Sequence, residues 1–337
     1  RQRQMCIRDR QFTMQTQKNV VEMHPGKGIL NIDVLSFQRL AYRVFEEVGG
    51  AREVLLDDTG KSLVLQKLVQ QHKKELPYLG SQMNKPGYLD EVKSLISEFM
   101  QYDIRQEELS DMLEKTGEDS LLQMKMNDVS VLYQAFTDYL EGHYMTGEGV
   151  MDALKKAIPF SRKLKNSVLL LDGFTGFTPV QMNVIRELLA VCDQVLVTVT
   201  MDAKENPLQM GKPHQLFYMS RKMIHTLSGL TNDLDDPVYL KEEKKGRFSD
   251  APALGFLEQH LFRYRKAAYG KSQDEIRIFA AESPIKELEE TARRIRRMVR
   301  EEDLKYGEIA VITGNLEEYG SLAGQVFREA GIPYFID

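Results

Sequence analysis

The sequence has few of the residues that build several common kinds of site. Its 337 residues hold two cysteines, Cys6 and Cys192, far apart in the chain. That excludes a disulfide framework and any zinc or iron-sulfur site ligated by cysteines of this chain. No apolar run approaches the ~18 residues of a membrane span, and the start of the chain has no hydrophobic signal region. A cytoplasmic location, without membrane contact and with reduced thiols, is the expectation. The histidines His24, His72, His143, His214, His225 and His260 show no HExxH or other ligand spacing, so no metal site is inferred. No Ser-His-Asp or Cys-His arrangement is visible, so no catalytic residue is assigned. An excess of positive charge is also missing: 45 Lys and Arg against 50 Asp and Glu give a formal charge of −5. Blanket attraction to a phosphate backbone is thereby excluded, and any nucleic-acid contact has to come from a local groove.

The composition that remains, 42% hydrophobic, is that of a soluble globular protein, and the length suits two or three compact units. Residues 1–10, RQRQMCIRDR, stand apart, because MCIRDR looks like translated read-through of a sequencing adapter. They are set aside as a non-native segment in reading the fold. They carry four Arg and one Asp, so the body that follows has a formal charge of −8.

ILNIDVL (29–35) is a short β-type run, and SFQRLAYRVFEEV after it has helical spacing at Phe37, Leu40, Ala41, Val44 and Phe45, stopped by Gly49 and Gly50. From about Asp58 to Pro159 there are amphipathic helical segments and no convincing strand. The parallel-sheet pattern resumes with SVLLLDGF (167–174), a helix over 179–190 and the buried strand QVLVTVT (194–200). A third block reads EIRIFAA (275–281), a helix from Pro284 to about Glu302, EIAVIT (308–313), a helix to Ala330 and PYFI. The fold class is therefore α/β, with an all-helical insertion and the start of a further α/β unit. A superfamily 1 helicase core has this layout, though pattern alone makes it one option among many.

TGKS (59–62) imitates the end of a phosphate-binding loop. The motif requires its first Gly where this chain has Leu55, and Asp57 and Asp58 would set carboxylates beside the phosphates, so capping of a helix by Thr59 is the better reading. SVLLLDGFTGFTPVQ places Asp172 at the end of a buried strand, where P-loop motors hold Mg²⁺. The next residue, a Glu in active helicases, is Gly173, which can act neither as acid nor as base. Phe174 and Phe177 flank a Gly at the carboxyl end of this strand, where open α/β sheets bind ligands, and are either base-stacking or core residues. Phe37, Arg39 and Tyr42 at a strand-to-helix junction suit single-stranded nucleic acid, or are simply core and surface. In ARRIRRMVR (292–300) the basic run is matched by Glu289, Glu290, Glu301 and Glu302, so a solvated helix with paired charges explains it.

QFTMQTQ (11–17), VLSFQRLAYRVFEEVGG (34–50), LLLDGFTGFTPVQ (169–181), EIAVITGN (308–315) and GIPYFID (331–337), in this order and spacing, resemble successive blocks of the AddB family. The resemblance covers essentially all of residues 11–337. It implies a superfamily 1, UvrD/Rep-like core with a P-loop NTPase-like parallel sheet, truncated at both ends. Residues 11–58 and 160–273 would form helicase-like domain 1A without its phosphate loop, 59–159 the helical domain 1B, and 274–337 the start of domain 2A. Family members work with an AddA-type subunit that drives the motor. They act on double-stranded DNA ends and on single-stranded DNA, which the degenerate AddB core scans for the recombination signal Chi.

By motif match, Gln11, Thr13, Phe37, Arg39, Tyr42, Phe174 and Phe177 are expected to line the DNA channel, and Asp172 to be a vestigial metal or nucleotide-site residue. The full-length family implies ATP, Mg²⁺ and a 4Fe-4S cluster, none of them in this segment. The whole subunit would be a hydrolase, and this part alone inactive. The alternatives are an active superfamily 1 helicase, which would need Glu at position 173 and a Gln-bearing strand near Val197, and an α/β scaffold without a nucleic-acid role.

Overall fold

The computed structural model describes residues 3–8, 13–29, 31–49, 53–83, 85, 87–115, 121–202, 204–240, 248–263 and 267–336. The chain divides into two compact units, Arg1–Tyr239 and Leu240–Asp337. Residue 274, the expected start of the last domain, thus lies inside the second unit and not at its edge. Among the described residues no helix is long and apolar enough to cross a membrane.

The first unit runs β1 (Arg3–Arg8), α1 (Thr13–Met23), β2 (Ile32–Leu35), α2 (Phe37–Val48) and β3 (Val54–Leu55). Helices α3 (Asp58–Gln71), α4 (Leu79–Gln82), α5 (Tyr88–Gln101), α6 (Gln106–Lys115) and α7 (Leu121–Leu140) follow. Then come β4 (Tyr144–Met145), α8 (Gly149–Ala157), β5 (Ser167–Asp172), α9 (Pro179–Val191), β6 (Gln194–Val197) and α10 (Tyr218–Ser228). The main sheet is parallel throughout, in the order β2-β1-β5-β6.

Setting residues 1–10 outside the fold is corrected for residues 3–8, because Arg3–Arg8 is an inner strand between β2 and β5. Met5, Cys6 and Ile7 are all buried, and three consecutive apolar residues suit a strand covered on both faces. The register aligns the apolar positions into rows: Leu35, Ile7, Leu171 and Val197 lie side by side across four strands. Together with Met5 and Leu169 of the same face they pack against Leu40, Ala41 and Val44 of α2, Leu154 of α8, and Val184 and Leu188 of α9. Burying each such side chain contributes roughly 1.5–3 kcal/mol.

The helices between β3 and β4 form a separate core around Leu65, Ile96, Leu132 and Phe136. The helical layer ends earlier than expected, because Val150, Met151 and Leu154 of α8 belong to the core of the main sheet. The block also contains a strand that periodicity misses: the two-residue β4 pairs in parallel with β3. Thr59 does not cap α3 as expected. The helix begins one residue before it, and the Asp57 carboxylate accepts the Gly60 N–H at 2.7 Å.

The second unit holds α11 (Pro252–His260), α12 (Pro284–Glu301) and α13 (Leu316–Glu329). Leu288, Ala292 and Ile295, on one face of α12, meet Val326 and Phe327 of α13 and Ile332. The strands expected at 275–281, 308–313 and 333–336 do not form ladders, and Ile278, Ile312 and Phe335 are exposed at 95%, 92% and 88%. A helix satisfies its backbone groups internally, whereas a strand needs a neighbour to pair with. These segments have none among the described residues of the unit.

Candidate nucleic-acid interface

From β1 the chain moves one way to β2, and later the other way through β5 to β6, so the strand order reverses between β1 and β5. In open parallel sheets ligands bind outside the carboxyl ends of the strands at such a point. Two described turns reach it. After β2, the Ser36 hydroxyl caps α2 by accepting the Arg39 N–H at 3.3 Å, which makes Phe37 the first helical residue. After β5, Gly173 turns the chain with φ of 78°, a left-handed conformation that costs an L side chain ~1–2 kcal/mol. Thr178 ends the turn with a capping box, in which its hydroxyl accepts from the Gln181 backbone N–H while the Gln181 side-chain Oε1 accepts from the Thr178 N–H.

Phe37, Phe174 and Phe177 come together there. The Phe37 ring meets Phe174 edge-on at 5.7 Å and Phe177 at 6.3 Å, and Phe174 and Phe177 lie 4.8 Å apart. Strands β2 and β5 are two spacings apart, about 10 Å, so the rings meet across the carboxyl end of β1. Phe37 is buried at 7% exposure, whereas Phe174 and Phe177 are half-buried and packed on the core beneath. The arrangement is an aromatic platform with one ring fixed below and two partly open to solvent, able to stack on planar groups.

Asp172 ends β5, and its carboxylate accepts a hydrogen bond from the Thr198 hydroxyl at 2.5 Å. Thr198 itself extends β6 by donating its N–H to the Leu171 carbonyl at 2.9 Å. Sequence reading did not single out Thr198. Its signal was a polar residue at the end of the neighbouring apolar strand, in step with Asp172. Among the described residues no three His, Cys, Asp or Glu side chains are placed to hold a metal ion, and four-cysteine ligation of a cluster is beyond a chain with two. The two cysteines of this chain do not fit a four-cysteine iron-sulfur site.

The remaining expected residues are dispersed. Tyr42 lies about 140° around the helix from Phe37, packs edge-on against Phe45 at 6.4 Å and is exposed. Arg39 is exposed, on the first turn of α2. Gln11 lies outside the described residues, and of Thr13 only the backbone, the first residue of α1, is described. Lys61 of the TGKS segment is buried, and its ammonium donates to both Glu148 carboxylate oxygens at 3.0 Å and to the Ser97 hydroxyl at 3.1 Å. Burial pushes the Glu148 carboxyl up, but the hydrogen bond and charge of Lys61, with help from its own backbone and from Thr146, outweigh this and hold it below the usual range. That lysine is a strut between α3, α5 and the start of α8. On α12, Arg293 and Arg294 pair with Glu290 at 2.9 and 3.0 Å, and Arg294 also lies over the Phe279 ring at 4.1 Å.

Comparison with known proteins adds relatives to this geometry. A family model described as ADDB, N-terminal, matches residues 5–258. The chain is 40% identical over 334 residues to the B-type subunit of an ATP-dependent helicase/deoxyribonuclease from Lachnoclostridium phytofermentans, covering 97% of the chain and 29% of that relative. Proteins of the same name from Clostridium novyi and a Thermoanaerobacter species are 32% and 33% identical over 331 residues, again covering 97% of the chain and 29% and 28% of their own lengths. The chain thus spans less than a third of the relatives it matches.

Proposed function

The chain belongs to the AddB family, whose amino-terminal region it matches, and on that premise we propose that it is part of the AddB-type subunit of an ATP-dependent helicase/deoxyribonuclease that resects DNA double-strand ends for recombinational repair. In this reading the first unit is an inactivated superfamily 1 helicase core that binds single-stranded DNA and scans it for Chi, while an AddA-type subunit drives the motor. The observation that carries it is the Phe37–Phe174–Phe177 platform, set at the strand-order reversal next to a strand that ends in Asp172-Gly173. Gly173 cannot polarise an attacking water, and its left-handed backbone disfavours the Glu that would. Asp172 is then a vestige of a metal site, now held by Thr198. The ATP, Mg²⁺ and iron-sulfur chemistry expected of the whole subunit belongs to residues other than the ones described.

The test is Phe177→Ala in the complete two-subunit complex. A ring stacked on a base is worth ~1–3 kcal/mol, so affinity for single-stranded DNA and the response to Chi should fall while the melting temperature holds. A buried Phe would instead lose ~3–5 kcal/mol of stability. Unchanged DNA binding with early melting would leave a scaffold and remove the nucleic-acid role. Arg39→Ala adds an independent reading, since loss of one phosphate contact should lower the salt slope of binding by about 0.7.

A further inference from the structure

A second surface of the first unit has the opposite character. Where the carboxyl end of α2 and helix α8 of the sheet core face α5, α7 and β4, an open groove of about 790 Å³ runs along the junction. Its floor is apolar: Phe45 and Val48 of α2, Met145 of β4 and Ala157 at the end of α8 line it and pack on the core beneath. Phe160, beyond the end of α8, also lines the groove and is 69% exposed, a large ring left uncovered among the described residues. Its rim is acidic. Glu53, Asp138, Glu141 and Asp152 line it and all are exposed, against one lining cation among the described residues, Lys156. A smaller depression of about 420 Å³ continues it past Phe45 and Met145 to Tyr42, with Glu46 added to the rim.

From this pairing of an apolar floor with a carboxylate rim, we infer that the groove docks a basic amphipathic helix of a partner protein. The carboxylates repel a phosphate backbone, which separates this surface from the proposed DNA platform. The apolar residues would take the hydrophobic stripe of a helix, and the rim would take its flanking lysines or arginines, as in helix-in-groove recognition. The groove is open along the junction and not an enclosed cavity, so it suits a row of side chains better than a small molecule, which is usually buried over most of its surface. Its walls come from both layers of the unit, so an occupant would clamp the helical layer to the sheet core.

The probe is a fluorescein-labelled amphipathic peptide of Leu and Lys, about 18 residues or five turns long, titrated into the full chain and followed by anisotropy. Two control peptides accompany it: the same composition scrambled to destroy the apolar stripe, and the amphipathic peptide with Glu in place of Lys. Binding of the first, weakened by salt and absent for both controls, is the expected result. Phe160→Asp, at an exposed position, should weaken it about tenfold or more, and Asp138→Lys with Glu141→Lys comparably. Glu107→Lys and Glu108→Lys on α6, the same charge change away from the groove, should leave it unchanged. Equal binding of the amphipathic and scrambled basic peptides, or equal loss from both pairs of charge reversals, would show nonspecific attraction to an acidic protein and overturn the inference. So would concentration-dependent dimerisation abolished by Phe160→Asp, which would make a second copy the occupant.

Discussion

Ser167–Asp172 and residues 308–313, EIAVIT, are apolar runs of the same length, each followed by a turn and a helix, yet one is an inner strand and the other has no strand partner among the described residues. Val168 to Leu171 are flanked by β1 and β6 in register, and Leu169 and Leu171 are fully buried. Val311 and Ile312 are exposed at 50% and 92%. The difference teaches that composition selects a strand only when neighbours supply the other half of its hydrogen bonds and a face to cover. Helices α9 and α13, which follow the two runs, form alike.

The largest consequence lies in local stability. Hydrogen exchange of the Leu169–Leu171 amides should require global opening, ~5–15 kcal/mol for a native domain, while Val311 and Ile312 should exchange at nearly the unprotected rate. Equal protection would erase the contrast. Charge gives the next effect. Lys61→Met leaves the part-buried Glu148 carboxylate without its cation and should cost up to about 3 kcal/mol in denaturant melts, the low end for a buried pair, whereas replacing both partners with apolar residues should recover much of the loss. The pair also sets a pH dependence: because the fold lowers Glu148, its stabilisation is fully present above the ordinary value of 4.5 and drains away as pH falls through the folded value. Glu148→Gln should therefore flatten the acid limb of the stability profile.

A direct side-chain comparison is Leu171→Ala, expected to cost ~2–5 kcal/mol, against Ile312→Ala, expected within ~0.5 kcal/mol. Similar losses from both would mean that the second run is covered in solution. The smallest contrast concerns the start of α3. Asp57→Ala should cost ~1 kcal/mol as the loss of a cap, while Thr59→Ala, inside the helix, should leave the melting curve almost in place.

What was legible in the sequence follows the same division. The limits of α2, α9 and α12 were readable from helical spacing and from their start and stop signals, among them Gly49 after α2 and Pro179 at the start of α9. The helical layer was readable as a block, but its end was not, because α8 looks like any amphipathic helix until its partners are known. β1 was missed because MCIRDR looks like adapter read-through, and with only three apolar residues in six its composition does not announce a strand. The aromatic site was half legible. Phe174 and Phe177 announce themselves after a buried strand, but their meeting with Phe37, and not with Tyr42, depends on β1 lying between β2 and β5. Partners distant in sequence, such as Thr198 for Asp172 or Glu148 for Lys61, 87 residues apart, leave no local pattern to read.

The pairing of Arg3 with Ser167 across β1 and β5 also carries a consequence for how the chain becomes ordered. Contacts within the helical layer, such as those of Leu132 with its neighbours on α3 and α5, join residues closer in sequence than the two central strands are. Closing a long loop costs entropy before any ladder bond forms to offset it, and folding slows as the sequence separation of contacts grows. During synthesis the helical layer is complete before Ser167 is made. It can therefore fold first and act as the compact spacer that delivers β5 to β1, leaving the centre of the sheet to close after the helical layer.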